Sequence, residues 1–575
     1  MLSRKRMGRG LSASLTCRLA AAVLLLLSQG TQTAAGQNPF ATPAADVTPT
    51  FKSSSRLVVV DVVVTGKDGA PIAGLDKGDF TILEDGKPQT LQSFEPHVPV
   101  KASAAVPDIQ LPAGEFTNFP KQTANSAVNI VLFDILNTPT DDQMFAREQM
   151  IEFLKTLPRG QSVALFTMGY DLKMIAGFTT STDDLIAAAK KVKPGVSALL
   201  DTEQDQAAED HMNSALTSGM QSGGGGDAMN IASAMTDFSA ETRLVRTDIR
   251  TEKTFESLGQ LARALSGYTG RKNLLWLSEG FPAAVLPRRA NYEPDARNYL
   301  ATFQKYSGLL EASQISVYPI DLRGLKNTAL PPIGGSAEYD DPQRQNENTW
   351  GSQLMMRDVA GQTGGRAFYN GNDLKGAMRH SIEHGSTYYT LAYSPQNKKW
   401  NGDFRHIEVK LARPDTRLDY RRGYYGVPDD PGPVDTARRM MIAEMQPGVP
   451  QSTMLLLRCK VVADNSTGKV SIDYGVYAAD IAFTDDSLKH AQLEFVAVAW
   501  DKNEKSAANA SETMNLDLKP QTFQKVMNTG VPAHQELTLK PGTYKLRLGV
   551  MDYASAKIGT LEIPVTVSTA QAALK

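Results

Sequence analysis

Cysteine is nearly absent from this chain, with two in 575 residues. That excludes a disulfide-stapled scaffold and a Cys-rich metal centre. No charge sign is in excess: 60 Lys and Arg stand against 62 Asp and Glu, a formal charge of -2. Nucleic-acid binders usually carry a basic surplus, so the balance argues against nucleic acid as a partner. No apolar run after Leu27 reaches the ~20 residues a membrane-spanning helix needs. Two catalytic motifs are also missing. Without a Gly-x-Ser-x-Gly elbow a hydrolase triad has no support, and without a Gly-x-x-x-x-Gly-Lys-Ser/Thr loop neither has a nucleotide-hydrolysing site. His380 and His384 share one helical face, but Ser381 stands where a zinc protease needs Glu, so this reads as a surface helix. What remains is ordinary folded protein, 41% hydrophobic and 21% charged, and too long for one core.

The N-terminus is read apart from the fold. Arg4, Lys5, Arg6, Arg9 and Arg18 precede or flank a short apolar stretch, Leu19 to Leu27. Ala34-Ala35-Gly36 then offers small residues for cleavage. This is the pattern of a secretory signal peptide over residues 1–36, the other reading being a single membrane anchor. Cleavage removes five basic side chains and no acidic one, leaving a more acidic chain. It also removes Cys17, and Cys459, inside the apolar run from Met454, reads as a buried inert thiol.

Composition and periodicity divide the rest. Residues 37–55 form a Pro, Ala and Thr-rich leader. Residues 56–97 hold β-branched runs broken by Lys67-Asp68-Gly69 and Glu84-Asp85-Gly86, a small β unit. Residues 98–126 read as a linker. From 127 to 385, short apolar runs (128–134, 162–167, 273–278, 315–320) alternate with helical stretches, which predicts a doubly wound α/β sheet. Residues 195–250, with Ser222 followed by four glycines, read as a flexible insertion, helix resuming near Thr242. Strands return over 386–426, then a linker over 427–451 and a strand-rich β-sandwich of Ig-like size over 452–575. The 56–97 unit is too small to stand alone and is expected to pair with 386–426, making the α/β domain an insertion.

Several segments resemble a known family. Val59-Val60-Asp61-Val62-Val63-Val64-Thr65, Leu132-Phe133-Asp134-Ile135-Leu136-Asn137-Thr138 and Gly270-Arg271-Lys272-Asn273-Leu274-Leu275-Trp276-Leu277-Ser278-Glu279-Gly280 carry it. Thr363-Gly364-Gly365-Arg366, Tyr389-Thr390-Leu391-Ala392-Tyr393 and Arg421-Arg422-Gly423-Tyr424-Tyr425 complete it. In this order, over residues 56–426, they resemble the VWFA-related domain family of secreted Acidobacteria proteins. The resemblance implies a Rossmann-like von Willebrand factor A-type domain, a fold used mostly for binding proteins.

It also implies a place to look for a metal. Such domains often hold Mg²⁺ through Asp-x-Ser-x-Ser after the first strand, with a Thr and an Asp from other loops. Here the loop is Asp134-x-Leu136-x-Thr138, and Glu279-Gly280 replaces Asp-Gly. Two readings follow. Asp134, Thr138 and Glu279, helped by Asn137, hold Mg²⁺ or another divalent cation; or Asp134 and Asn137 cap the sheet edge through hydrogen bonds. For the loop Thr, Thr251 and Thr254 are both at a plausible distance.

Ligands of open α/β sheets sit beyond the strands' carboxyl ends. The expected binding face is therefore Gly169, Tyr170, Ser278, Gly280 and Phe281 together with the Asp134 loop. The sequence thus predicts an exported, non-enzymatic adhesion-type protein, periplasmic or at the cell surface, that binds a protein partner. The second reading is a structural envelope scaffold acting through its sandwich.

Overall fold

The computed structural model describes residues 56–98, 111–120, 127–200 save 159, a few positions within 208–218, 226–280, 300–324, 342–428 and 434–568. The signal peptide, the leader, most of the 98–126 linker, the glycine run before Gly226, and Phe281 lie outside these residues. No helix among the described residues is long and apolar enough to cross a membrane.

The apolar runs of the middle region form one five-stranded sheet. Its strands are β6 (Val128–Asp134), β7 (Val163–Met168), β8 (Leu172–Thr179), β9 (Lys272–Ser278) and β10 (Ile315–Asp321), in the order β10-β9-β6-β7-β8. All neighbours are parallel except β8, which returns antiparallel to β7. Every residue of β6, β7, β9 and β10 is buried, as expected of strands covered on both faces.

The pleat divides their side chains between two layers. Ile130, Leu132, Leu274 and Trp276 meet Phe255, Leu258 and Leu261 of α3 (Gly226–Leu265), together with α4 (Leu300–Ala312) and α5 (Pro342–Thr363). Val131, Phe133, Leu275 and Leu277 meet Met150, Phe153 and Leu154 of α1 (Thr140–Lys155), with α2 (Thr182–Lys191) and α6 (Leu374–Ser386). Acidic first turns and basic last turns suit the dipoles of α1 and α2. Asp373 caps α6, its Oδ1 accepting from Gly376 N at 2.7 Å.

The expected flexible insertion over 195–250 needs correction. Helix α3 begins at Gly226, well before Thr242, and runs 40 residues. Alanine and methionine are strong helix formers and dominate the start of this stretch, so helix wins once the glycines end.

Flanking strands build two further sheets. β13 (Thr416–Asp419), β1 (Val58–Gly66), β11 (Tyr388–Tyr393) and β4 (Leu91–His97) form one; β14 (Gly423–Tyr425), β12 (Phe404–Leu411), β2 (Phe80–Glu84) and β3 (Lys87–Gln89) form the other. Val60 pairs with Leu391, and Val409 with Ile82. Alternate residues Val58, Val60, Val62 and Val64 point into the core with Phe80, Ile82, Tyr389 and Tyr393.

The last body is two antiparallel four-stranded sheets, β19-β16-β15-β5 and β18-β17-β20-β21. They comprise β5 (Glu115–Thr117), β15 (Leu457–Asp464), β16 (Lys469–Val476), β17 (Lys489–Trp500), β18 (Ser506–Leu518), β19 (Val531–Thr538), β20 (Gly542–Asp552) and β21 (Ile558–Val567). Helix α8 (Pro520–Thr529) links β18 to β19. The sheets share a core that includes Leu457, Ile472, Leu493, Phe495, Leu546 and Ile563. Cys459 is buried in it, and burial pushes its thiol well above the usual range.

Both expected linkers carry structure. Within 98–126, β5 pairs with β15, Phe116 opposite Cys459, and Glu115 forms an ion pair with Arg458. Three residues are too few to show a period, which hides such a strand in the sequence. Within 427–451, α7 (Val434–Glu444) packs Ala437 and Met441, with Met445 just beyond it, against Met551 and Ile558. That four-residue spacing is one helical face.

Candidate functional site

Asp134 ends β6 at the carboxyl edge of the sheet and is fully buried. Four donors meet its carboxylate. Oδ1 accepts from Asn137 N at 2.9 Å. Oδ2 accepts from Asn137 Nδ2 at 2.9 Å, Trp276 Nε1 at 3.0 Å and Ser278 Oγ at 2.8 Å. Burial raises the Asp134 pKa to about 6 even against these bonds, which favour the charged form.

The surrounding loops lock onto this centre. Asn137 Nδ2 also donates to Thr254 Oγ1 at 3.0 Å, and Thr254 donates to Arg250 O at 2.9 Å. Both candidate threonines lie on α3 rather than on a loop; Thr254 is the one that joins the edge, whereas Thr251, one turn earlier, bonds back to Thr247 O. Thr138 Oγ1 accepts from Glu279 N at 3.2 Å, and Gly280 N donates to Ser278 Oγ at 3.2 Å. Gln143 clasps the rim, its Nε2 donating to Thr138 O at 2.6 Å and to Gly195 O at 2.9 Å.

The structure therefore gathers Asp134, Asn137, Thr138, Ser278, Glu279 and Gly280 on one edge. Gly169 and Tyr170 lie at the turn between β7 and β8 on the same side. Tyr170 is 61% exposed, and Lys253 Nζ stands 4.6 Å from its ring centroid. Phe281 falls outside the described residues.

This donor set does not fit a hexacoordinate cation. Mg²⁺ wants oxygen lone pairs in near-octahedral array. Here Asp134 faces an indole N–H, an amide N–H and a hydroxyl, and the buried Leu136 supplies no oxygen. Asn137 Oδ1 is the one buried acceptor of the loop left without a partner among the described residues. No three His, Cys, Asp or Glu converge on one point among those residues. The geometry is that of a hydrogen-bonded carboxylate tying the ends of β6 and β9 and the loop after β6 together.

Sequence reasoning missed several residues. Trp276 donates directly to Asp134 and was not foreseen, whereas Thr254, which meets Asn137, was one of the two threonines the sequence offered. Asp321 ends β10 as Asp134 ends β6, and it accepts from Arg323 Nε at 2.9 Å and Arg323 Nη2 at 2.8 Å. Its place at a strand end was the available signal.

His384 departs from the surface reading. His380 is exposed, but His384 is buried, its Nδ1 3.0 Å from Tyr318 Oη and its Nε2 2.9 Å from Asp419 Oδ2. Arg271 Nη2 donates to the same Tyr318 oxygen at 2.9 Å. This chain runs from Arg271, just before β9, through β10 and α6 to β13, and joins the α/β sheet to the flanking β sheets.

No family model and no curated protein matches the chain. Solved structures similar to parts of it include an aerotolerance-related membrane protein from Bacteroides fragilis, at 14% identity over 44% of this chain and 98% of that one, TM-score 0.23. Another is the conserved hypothetical protein BatB from Bacteroides thetaiotaomicron, at 12% identity over 45% and 97%, TM-score 0.22. A third is proximal thread matrix protein 1 from the mussel byssus, at 12% identity over 45% and 47%, TM-score 0.20. The sheet is defined here by its own strand order rather than by these likenesses.

Proposed function

We propose that this is an exported, non-enzymatic binding protein whose von Willebrand factor A-like domain takes a protein partner at the carboxyl edge of its sheet. The observation that carries this reading is Tyr170, a large exposed aromatic at the turn after β7, whose last carbonyl, Met168 O, accepts from Ile135 N and Leu136 N of the Asp134 loop. Aromatic anchors on rigid supports are what protein interfaces use. Asp134 itself is engaged by four donors, which suits support rather than catalysis. The same saturation makes the proposed binding independent of a divalent cation. Export rests on the basic, apolar and small-residue order of residues 1–36.

The test is capture of partners from envelope extract by the exported chain, with and without EDTA, beside the variants Tyr170→Ala and Lys253→Ala. The expected partner is retained in EDTA and lost from Tyr170→Ala. Capture that Tyr170→Ala leaves intact, or that EDTA abolishes, sinks the reading.

A further inference from the structure

A second surface lies on the other side of the molecule's sequence, in the C-terminal sheets. A groove of about 360 Å³ runs between α7 and the outer face of β17 and β18. Its walls include Met441, Ile442, Met445 and Trp500, and its floor includes Val496 and Val498. Ile442 is 64% exposed, although it is apolar and sits on a helix whose other face is buried. Trp500 Nε1 donates to Met445 O at 3.1 Å, fixing the end of the helix over the sheet. Gly549 lets α7 settle closely, since a Cβ there would stand 2.4 Å from Met441 Cε.

Beyond the floor, β18 presents small residues. Asn509 pairs with Val498 and Ser511 with Val496, so these short side chains share the groove face and leave it open toward the sheet edge. β18 is the end strand of its sheet, and among the described residues no strand pairs with its outer edge. It is 13 residues long and contains no Pro, Lys, Arg or Gly. Its one bulge lies at the start, where Ala499 pairs with Ala508 but Trp500 with Ser506; beyond it no guarding residue interrupts the edge, whose free N–H and C=O groups invite another strand.

The charge of this edge selects the occupant. Glu512 and Asp517 are the strand's only charges, and both are acidic. Asp517 is met by His490 at 2.5 Å, whereas among the described residues no cation pairs with Glu512. A second copy of β18 would bring acid to acid with no cation in either strand. A basic strand complements it.

We propose that this groove and edge dock an extended, basic segment of another protein. The segment adds beside β18 by main-chain hydrogen bonds, turns alternate apolar side chains over Ser511 and Asn509 into the groove, and sets Lys or Arg against Glu512. This is strand addition with side-chain pockets at period two. The proposal goes beyond the binding reading above and uses a different surface.

The test is selection of a displayed random-peptide library on the full chain, followed by affinity measurement of the enriched peptides. Ile442→Asp and Ser511→Lys serve as variants, both at exposed positions, with unfolding curves to check that each remains folded. Enriched peptides should alternate apolar residues with Lys or Arg, slow amide exchange in β18, and bind each variant about tenfold or more weakly. An enriched set without that alternation, affinities unchanged in both variants, or no enrichment over Ser511→Lys overturns the proposal. So does a dimer of the wild-type chain that Ser511→Lys dissociates, since a second copy would then be the occupant.

Discussion

Trp276 Nε1 donates to Asp134 Oδ2 across 3.0 Å, so the indole of β9 holds the carboxylate that ends β6. Burial lifts the pKa of that carboxyl from its ordinary value to about 6. A raised carboxyl pKa means that the folded state binds the proton more readily than the unfolded chain. Its contribution therefore favours folding as pH falls from 7 toward 4, by about 2–3 kcal/mol in full. Asn cannot titrate in this window. Urea melts of wild type and Asp134→Asn at pH 7, 6 and 5 should show the gap widening in favour of wild type on acidification. A gap that narrows contradicts the shift.

His384 predicts the opposite slope. Burial lowers its pKa against the pull of Asp419, and Arg366 and Arg271 add like charge nearby. In the tautomer that donates to the Asp419 carboxylate through Nε2, neutral His384 accepts from Tyr318 through Nδ1, so a second proton would have to displace the Tyr318 hydroxyl hydrogen from that bond. A lowered histidine pKa contributes stability that is present above the unfolded value near 6.5 and is lost as pH falls below it. His384→Gln should be less stable than wild type at pH 7.5 and should lose less on acidification to pH 5.5, read from paired thermal melts. Equal losses in the two proteins count against a buried neutral imidazole.

How much of this was legible in the sequence depends on how each feature writes itself. Strands buried on both faces need unbroken apolar runs, and 128–134, 273–278 and 315–320 show them plainly. Asp134 and Asn137 stand three residues apart in one loop, so their pairing could be read locally. Trp276 could not be read so, because an indole in an apolar run looks like packing alone until its N–H finds an acceptor from another strand. The chain from Arg271 through Tyr318 and His384 to Asp419 spans four separate segments, and no local pattern links them. β5 was hidden for another reason: three residues are too short for a period, and Phe116 acquires its meaning only beside Cys459.

Asn118 tests whether that hidden strand is part of the sandwich. Its Oδ1 accepts from Leu457 N at 2.8 Å, and its Nδ2 donates to Ser452 O and Leu455 O, both at 2.9 Å. The side chain is buried, so Asn118→Ala strands three backbone groups away from water. With unsatisfied buried groups costing about 1–3 kcal/mol each, the variant should lose about 3 kcal/mol or more in denaturant unfolding. A loss under about 0.5 kcal/mol, the ordinary surface value, would place residues 115–118 outside the folded unit.

The junction between the α/β sheet and the sandwich rests on Arg263 and Glu444. Arg263 Nε lies 2.6 Å from Glu444 Oε1, and both side chains are almost wholly buried. Arg547 Nε also donates to the Glu444 carbonyl at 2.9 Å, which fixes α7 on the sheet beneath. Removing one partner leaves the other charge buried. Arg263→Met alone should cost about 3–5 kcal/mol, and adding Glu444→Leu should recover most of it. A double variant as weak as the single one would show that α7 needs the ion pair for its position.

The edge of the α/β sheet also makes a claim about metal that can be reversed by design. Mg²⁺ or Mn²⁺ should not raise the melting temperature of the wild-type chain, because Trp276 and Ser278 donate to Asp134 and Leu136 offers no oxygen. Leu136→Ser adds a hydroxyl to the loop, and Trp276→Phe removes the N–H aimed at the carboxylate. Together they free a lone pair and supply a ligand, so the double variant should gain cation-dependent stability. Ligand linkage gives about 2.7 kcal/mol at a hundredfold excess over Kd, a shift readily seen by thermal melting. If wild type responds to Mg²⁺ as strongly as the double variant does, the four hydrogen bonds at Asp134 yield to a cation and its role as a purely structural tie is wrong.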